Sequence, residues 1–297
     1  MAGKCRVAQA CIDAGRPLLL CVLALLAMAT LAGCTAAAEP DLPPGARILR
    51  DLAYGDDPAQ RLDVYLPPNA KGAPAILMVH GGGWSRGDKA LGSVVTNKAA
   101  RWVSQGYLFI SVNNRLTPEA DPLQQAGDVA RALAFAQANA ASWGGDAARF
   151  VLMGHSAGAH LVALLAADPA LAKQQGTAPW LGTIPLDSGA FDVVAIMEER
   201  HFGLYDRAFG DDPAFWRSAS PLHRLAGAPA PMLLVCSSRR EVACAQAEAF
   251  AAKATALGGS VSVLPVDLSH RGINTDLGEP GDYTDSVEAF LHRLARP

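Results

Sequence analysis

The chain has 297 residues, of which 51% are hydrophobic and 18% charged, and its formal net charge is −3. A chain of this length and apolarity can bury one large core, which excludes an intrinsically disordered protein. Acidic and basic residues are nearly balanced, and no basic stripe indicates a nucleic-acid partner.

The first 33 residues have the layout of a targeting segment. Basic residues precede an apolar run from Leu18 to Ala29, and small residues follow, as is typical of a bacterial signal peptide. Leu31-Ala32-Gly33-Cys34 resembles a lipobox, which predicts that Cys34 receives lipid and becomes the mature N-terminus. The alternatives are an ordinary signal peptide or a membrane anchor that contains a cysteine. With lipid attached, the protein would be held at a membrane of the bacterial cell envelope, on the periplasmic or outer-membrane face.

Residues 34–45 lack an apolar period and are rich in alanine and proline, which predicts a flexible tether before a domain at 46–297. Removal of residues 1–33 leaves three of the six cysteines, namely Cys34, Cys236 and Cys244. Exported proteins meet oxidising conditions, so we predict a disulfide between Cys236 and Cys244.

Within the domain, short apolar runs alternate with longer amphipathic stretches. The predicted strands are Ile48–Ala53, Arg61–Leu66, Ala75–His80, Tyr107–Val112, Phe150–Met153, Gly182–Leu186, Met232–Cys236 and Ser260–Val266. The predicted helices are Asp121–Ala141, Ala157–Ala167, Ala243–Leu257 and Asp282–Leu294. The first two strands alternate polar and apolar residues, as half-buried antiparallel strands do. The alternation of strands and helices predicts an α/β fold with a mostly parallel sheet covered by helices on both faces.

The long aromatic-rich segment Gly189–Leu225 breaks this rhythm. An insertion of this kind between two core strands is a cap over a functional site or a surface helix pair with a small core of its own. Both interpretations stay open at this point.

Gly154-His155-Ser156-Ala157-Gly158 lies between a predicted buried strand and an Ala/Leu-rich helix. Gly-x-Ser-x-Gly in this context is typical of a nucleophile elbow, in which a sharp turn exposes the serine hydroxyl. The glycines allow the turn, and the N–H of Ala157 at the helix start can face a developing oxyanion. The pattern predicts Ser156 as a nucleophile.

His80-Gly81-Gly82-Gly83-Trp84 ends the predicted strand Ala75–His80. Three glycines let the backbone approach a ligand closely, with N–H groups free to point inward. A phosphate-binding loop is the competing interpretation, but the Lys-Ser/Thr ending of such loops is missing.

Together the two motifs resemble α/β-hydrolase esterases with this oxyanion loop, near the hormone-sensitive-lipase-like and feruloyl- or acetyl-xylan-esterase-like groups. The resemblance covers about Ala46 to Ala295 and implies the α/β-hydrolase fold with Gly82, Gly83 and Ala157 as the oxyanion hole. It extends to Gly87-Asp88-Lys89, Asn114-Arg115-Leu116-Thr117-Pro118, Gly144-Gly145-Asp146, Phe209-Gly210, Ser220-Pro221-Leu222 and Ser269-His270.

His270 is the expected general base, because it follows the last core strand and the chain order in this fold is Ser, acid, His. His80, His155 and His160 are expected to serve packing or hydrogen bonding. The sequence indicates the acidic residue that should orient His270 less clearly. Glu241 is the only carboxylate in the loop after Met232–Cys236 and is our first assignment, with Asp187 or Asp192 after the preceding strand as the alternative.

These residues predict a serine carboxylesterase that cleaves small-molecule esters, with short acyl groups, through an acyl-enzyme. An amide hydrolase of the arylformamidase kind is the first alternative, and a non-catalytic binding lipoprotein of the same fold is the second. No His, Cys and carboxylate cluster has metal-ligand spacing, so neither metal nor organic cofactor is expected. The sequence does not indicate an oligomeric state.

Overall fold

A computed structural model describes residues 39–295 of the protein. The predicted signal peptide, the lipobox and Cys34 lie outside the described residues. Residues 39–45, expected to belong to a tether, lie against the domain. Glu39 forms an ion pair with Arg50 at 2.8 Å, and Leu42 packs beside Ile48 against the core.

Eight strands form one sheet in the order β1-β2-β4-β3-β5-β6-β7-β8. Their bounds are β1 (Arg47–Ala53), β2 (Arg61–Leu66), β3 (Ala73–Val79), β4 (Leu108–Val112), β5 (Gly145–His155), β6 (Gly182–Leu186), β7 (Met232–Ser237) and β8 (Val261–Val266). The pairs β1/β2 and β2/β4 are antiparallel, and every other neighbouring pair is parallel. The predicted mostly parallel sheet with an antiparallel start is confirmed.

Helices connect the strands. Their bounds are α1 (Gly92–Ser104), α2 (Pro122–Asn139), α3 (Ala157–Ala167), α4 (Pro169–Lys173), α5 (Val193–Met197), α6 (Gly203–Phe209), α7 (Pro213–Ser218), α8 (Pro221–Arg224), α9 (Glu241–Ala256), α10 (His270–Thr275) and α11 (Asp282–Ala295). A 3₁₀ turn, Ala140–Trp143, follows α2. Among the described residues, no helix is long and apolar enough to cross a membrane.

Helices cover both faces of the sheet, because successive side chains of a buried strand point to opposite sides. On β3, Leu77 and Val79 pack in a core cluster with α2 and α3, whereas Ile76 and Met78 pack in a second cluster with α1 and α11. Buried on both faces, β3 is apolar throughout. The parallel strands β3 to β8 all end at one edge of the sheet, and the loops there are brought together.

The segment Gly189–Leu225 contains the four short helices α5 to α8. Tyr205 and Phe209 of α6 pack against Trp84, with ring centroids 5.8 and 4.8 Å apart. A methyl group placed on Gly83 would lie 3.9 Å from Leu204. The segment therefore lies against the glycine-rich loop after β3, and its aromatic residues share a core with that loop.

Candidate active site

Ser156 lies at the junction of β5 and α3, with φ 56° and ψ −116°. Residues other than glycine rarely adopt this backbone conformation, which marks a strained turn held by its surroundings. A methyl group on Gly154 would lie 2.4 Å from the carbonyl oxygen of Gly158, and one on Gly158 would lie 2.4 Å from the carbonyl oxygens of Val79 and His80. Only glycine fits at either position, at 154 because the first turn of α3 folds back onto it and at 158 because α3 closely approaches the end of β3. Together these contacts explain the spacing Gly-x-Ser-x-Gly.

The hydroxyl of Ser156 is joined to His270 and Asp187 by a chain of hydrogen bonds. Its Oγ lies 3.0 Å from Nε2 of His270, and Nδ1 of the same ring lies 2.6 Å from Oδ2 of Asp187. His270 is the first residue of α10, whose N-terminus is capped by Ser269 through the N–H of Gly272. The three side chains come from the ends of three parallel strands.

The carboxylate on His270 is Asp187, so the first assignment, Glu241, is wrong. Glu241 begins α9 and is exposed, and within residues 39–295 no hydrogen bond or ion pair joins it to His270. After β7 the chain turns into α9 at this point, where Glu241 and Val242 are exposed and Ala243 is buried. Asp187 directly follows β6, the strand beside β5, so its side chain lies next to the site of Ser156. Asp192, the other alternative, caps α5 and pairs with His223 at 3.1 Å.

Asp187 is fully buried and is held by three donors. Besides His270, the N–H of Ser237 donates to Oδ1 at 2.9 Å, and Nη1 of Arg240 donates to Oδ2 at 2.6 Å. Burial by itself raises the pKa of Asp187, but the hydrogen bonds from His270 and Ser237 and the charge of Arg240 outweigh it and lower the pKa to about 2. The carboxylate is therefore ionised at neutral pH.

The glycine-rich loop runs alongside Ser156. A methyl group on Gly81 would lie 3.0 Å from Cβ of Ser156, and Gly82 and Gly83 have φ values of 128° and 59° that favour glycine. Ala157 is the first residue of α3, so its N–H belongs to the open N-terminal turn of that helix. Ala157 therefore directly follows the serine, whereas Gly82 and Gly83 continue the loop whose Gly81 lies beside it, and the role of these three residues as an oxyanion hole stays a prediction.

The histidines within the motifs make structural hydrogen bonds. His160 is buried, accepts a hydrogen bond from Nε1 of Trp84 at 3.1 Å and donates one to the carbonyl oxygen of Ala219 at 2.8 Å. Burial lowers its pKa to about 4, which keeps it neutral. Nε2 of His155 donates to the carbonyl oxygen of His270 at 2.9 Å. His155 thereby supports the backbone that carries the base.

Cys236 and Cys244 form a disulfide with Cα atoms 5.2 Å apart. The bridge ties the end of β7 to the first turn of α9 and closes the loop that carries Arg240. A cavity of about 1260 Å³ lies between this loop and α5–α6, lined among others by Gly189, Phe202 and Tyr205. Arg240, which contacts Asp187 and His270, also lines the cavity.

Curated relatives share the sequence over part of their length. Esterase LipC of Mycobacterium tuberculosis is 29% identical over 276 residues, which cover 83% of this chain and 65% of LipC. Esterase LipQ of the same organism is 30% identical over 221 residues, covering 68% of this chain and 51% of LipQ. The isoprenylcysteine alpha-carbonyl methylesterase ICME of Arabidopsis thaliana is 34% identical over 131 residues, covering 44% of this chain and 30% of ICME. The chain thus spans less than two thirds of the length of these relatives.

Solved structures share the fold. Esterase B from Lactobacillus rhamnosis HN001 has a TM-score of 0.70 at 21% identity, covering 93% of both chains. A truncated carbohydrate esterase from gut microbiota has a TM-score of 0.72 at 18% identity, covering 88% of this chain and all of that one. The family model described as BD-FAE matches residues 62–253, from β2 into α9. The protein therefore belongs to the BD-FAE family and has the α/β-hydrolase fold.

Proposed function

We propose that the protein is a serine hydrolase that cleaves small-molecule carboxylic esters with short acyl groups through an acyl-enzyme. The observation that carries the proposal is the continuous hydrogen-bond chain from Ser156 Oγ through His270 to Asp187. The esterase names of the curated relatives support the same reaction class.

The geometry supports a definite proton route. Nδ1 of His270 faces an ionised carboxylate and must donate its hydrogen, so Nε2 is left with a lone pair toward Ser156. Nε2 takes the hydroxyl proton as Oγ attacks the acyl carbon, and the negative charge of Asp187 stabilises the imidazolium that forms. His270 then gives the proton to the leaving alcohol. A water molecule then attacks the acyl-enzyme with the same proton transfers and releases the carboxylic acid.

The developing oxyanion requires N–H donors beside the serine. Ala157 at the start of α3, together with Gly82 and Gly83 in the adjacent loop, supplies such donors from rigid backbone. Each donor in a preorganised site of this kind contributes about 3 kcal/mol to transition-state stabilisation. Leu204 lies beside the loop at Gly83.

The first prediction tests the nucleophile. Ser156→Ala removes the attacking oxygen, so kcat for a short p-nitrophenyl ester should fall by about 10⁴-fold or more. Labelling by a fluorophosphonate probe should be lost as well, while circular dichroism stays that of the wild type. Ser104→Ala, at an exposed position on α1, is the matched control and should keep full activity and labelling. Unmodified Ser156 in the wild-type chain would instead support a binding protein without catalysis.

Substrate class is tested by rates on matched compounds. We expect acyl esters to be hydrolysed faster than N-formyl arylamides, with the rate falling as the acyl chain lengthens. Faster turnover of the formyl amides would assign the protein to the arylformamidase kind of amide hydrolase.

We also propose that the protein is exported and lipid-anchored in the bacterial cell envelope through Cys34. The support is the run Leu31-Ala32-Gly33-Cys34 after an apolar stretch. Intact-mass analysis of the membrane fraction should give a chain that begins at Cys34 and carries acyl groups. A mature N-terminus at another residue contradicts the proposal.

A further inference from the structure

Arg240 contacts the catalytic group, although the proton route above does not use it. Its Nη1 lies 2.6 Å from Oδ2 of Asp187 and 2.9 Å from Nδ1 of His270. These two atoms are themselves 2.6 Å apart, so two nitrogens, one from Arg240 and one from His270, meet at one carboxylate oxygen of Asp187. The arginine comes from the loop after β7, the loop in which the sequence led us to expect the acid.

The positions of the hydrogens determine which atoms Arg240 and His270 bind. Nδ1 of His270 donates its hydrogen to Asp187, so it has no lone pair to offer Arg240, and both nitrogens donate to Oδ2. The other oxygen, Oδ1, accepts from the N–H of Ser237. With donors on both oxygens, the carboxylate cannot rotate away from the imidazole without breaking an ion pair.

The backbone around Arg240 holds the guanidinium in this place. Arg240 lies within the loop that the Cys236–Cys244 disulfide closes. Its Nη1 also contacts the carbonyl oxygen of Asp187 at 3.3 Å, and a methyl group on Gly189 would lie 3.4 Å from Nη2. The side chain is therefore packed along the chain that follows β6 and is not a freely moving surface arginine.

The charge of Arg240 acts on His270. Protonation of the imidazole places a second positive charge about 3 Å from the guanidinium, which disfavours the imidazolium that Asp187 favours. Other groups around the ring have smaller roles. His155 lies with its ring centroid 4.6 Å away, and its pKa is lowered to about 3 by burial and by His270, so it is neutral. Lys98 and Tyr283 donate to carbonyl oxygens of α10, those of Asn274 and Ile273, and not to the ring.

We propose that Arg240 is a positioning residue of this active site, which fixes Asp187 on His270 and lets His270 act as a base at lower pH than Asp187 alone would allow. The inference rests on the proposed function, because it assigns His270 as the base. A purely structural role for Arg240 would affect stability and total activity but not the pH at which activity appears.

The test is the pH profile of kcat/KM for a short ester, measured by pH-stat in wild type and variants. Arg240→Met keeps the side-chain stem and removes the charge, so the midpoint of the acid limb should rise by about one pH unit. Arg240→Lys keeps a charge with a shorter reach and should give an intermediate midpoint. Arg239→Met is the matched control. Arg239 pairs with Asp267 at 2.7 Å and is exposed, so its removal should leave the midpoint unchanged.

Several outcomes overturn the inference. One is that the midpoint in Arg240→Met coincides with that of the wild type. The others are that Arg240→Lys shifts the midpoint as far as Arg240→Met does, or that Arg239→Met shifts it equally. If Arg240→Met does not fold, Arg240→Gln serves for the same comparison. The rate of fluorophosphonate labelling of Ser156 as a function of pH gives a second readout without any ester. If no ester is turned over but the labelling profile shifts as expected, the esterase proposal fails and the role of Arg240 stands.

Discussion

Asp187 has a backbone φ of 54° and a fully buried carboxylate that accepts hydrogen bonds from the N–H of Ser237 at the end of β7, from Arg240 and from His270. An aspartate tolerates this left-handed conformation better than most residues, because its short side chain can bond locally. The position therefore combines an unusual backbone with an ionised, desolvated group. Such a combination is typical of a residue kept for chemistry rather than for packing.

The second prediction separates the two candidate acids. Asp187→Asn keeps the size but removes the charge that orients His270 and stabilises its protonated form, so kcat should fall by about 10³- to 10⁴-fold with little change in KM. Glu241→Gln changes an exposed residue at the start of α9 and should retain most of the activity. Steady-state kinetics on one ester measures both. An inactive Glu241→Gln variant together with an active Asp187→Asn variant would contradict the structure.

Two of the three residues in the hydrogen-bonded group, Ser156 and His270, could be predicted from the sequence for a physical reason. Ser156 lies in a turn whose sterics demand glycines at fixed spacing, and His270 follows the last core strand. The acid has no such local requirement, because the ends of β6 and β7 are adjacent and either loop can reach the imidazole. The signals for Asp187 were its place directly after β6 and a following Ser188-Gly189 turn. Which of the two strand ends carries the acid depends on the tertiary path of each loop.

At the scale of the elements, the position of Ser156 depends on how closely α3 approaches β3. The third prediction uses two helical glycines with opposite surroundings. Gly158→Ala puts a methyl group 2.4 Å from the carbonyl oxygens of Val79 and His80, so the helix must move. We expect a loss of about 3 kcal/mol or more in unfolding free energy together with lost activity. Gly127→Ala, within α2, has no atom within 4 Å of the new methyl group and should stabilise the protein by about 1 kcal/mol.

Urea denaturation of the three proteins measures the difference. Equal stability of the two variants would mean that α3 can shift on β3 without cost, against the packing described above. Esterase activity is a separate readout, because Gly127→Ala should leave kcat as in the wild type.

The eight strands and four of the five longest helices were predicted from periodicity, and α1 is the long helix that was not predicted. The segment Gly92–Ser104 starts with Gly-Ser and continues with Val94, Val95 and Thr96, which have low helix propensity, and its N-cap makes no side-chain hydrogen bond. The spacing of its apolar residues nevertheless carries a helical signal. The buried residues, Val94, Val95, Lys98, Ala99, Trp102 and Val103, recur every three to four positions and face the sheet.

At the scale of the whole molecule, the hydrogen-bonded group of Ser156, His270, Asp187 and Arg240 is assembled from the ends of β5, β6, β7 and β8, with the glycine-rich loop from β3. These strands are adjacent in the sheet although they are far apart in the chain. The site therefore exists only when the complete parallel sheet is formed, and activity should be lost in the same transition as the fold. The pH dependence of that fold follows in part from buried histidines.

The last prediction concerns His160, which lies between Trp84 and Ala219 in the core beneath the glycine-rich loop. Burial lowers its pKa from 6.5 to about 4. Below pH 6.5 His160 is protonated in the unfolded chain but stays neutral in the folded chain. The free energy of unfolding therefore falls as the pH decreases from 6.5 to about 4. The loss from this residue approaches about 3 kcal/mol at the lower end. His160→Gln offers an amide oxygen and nitrogen to the same partners without titrating.

Urea unfolding of the oxidised protein at several pH values between 7 and 4 tests this. The variant starts less stable, because an amide fits the site less well than the imidazole, but its stability should fall less steeply over this range than that of the wild type. His292→Gln, at an exposed position on α11, is the control and should follow the wild-type slope. Acid-sensitive carboxylates affect all three proteins alike, so the difference in slope isolates His160. Parallel curves for wild type and His160→Gln would show that the folded protein accepts a proton at this histidine, through rearrangement of the contact with Trp84 or Ala219.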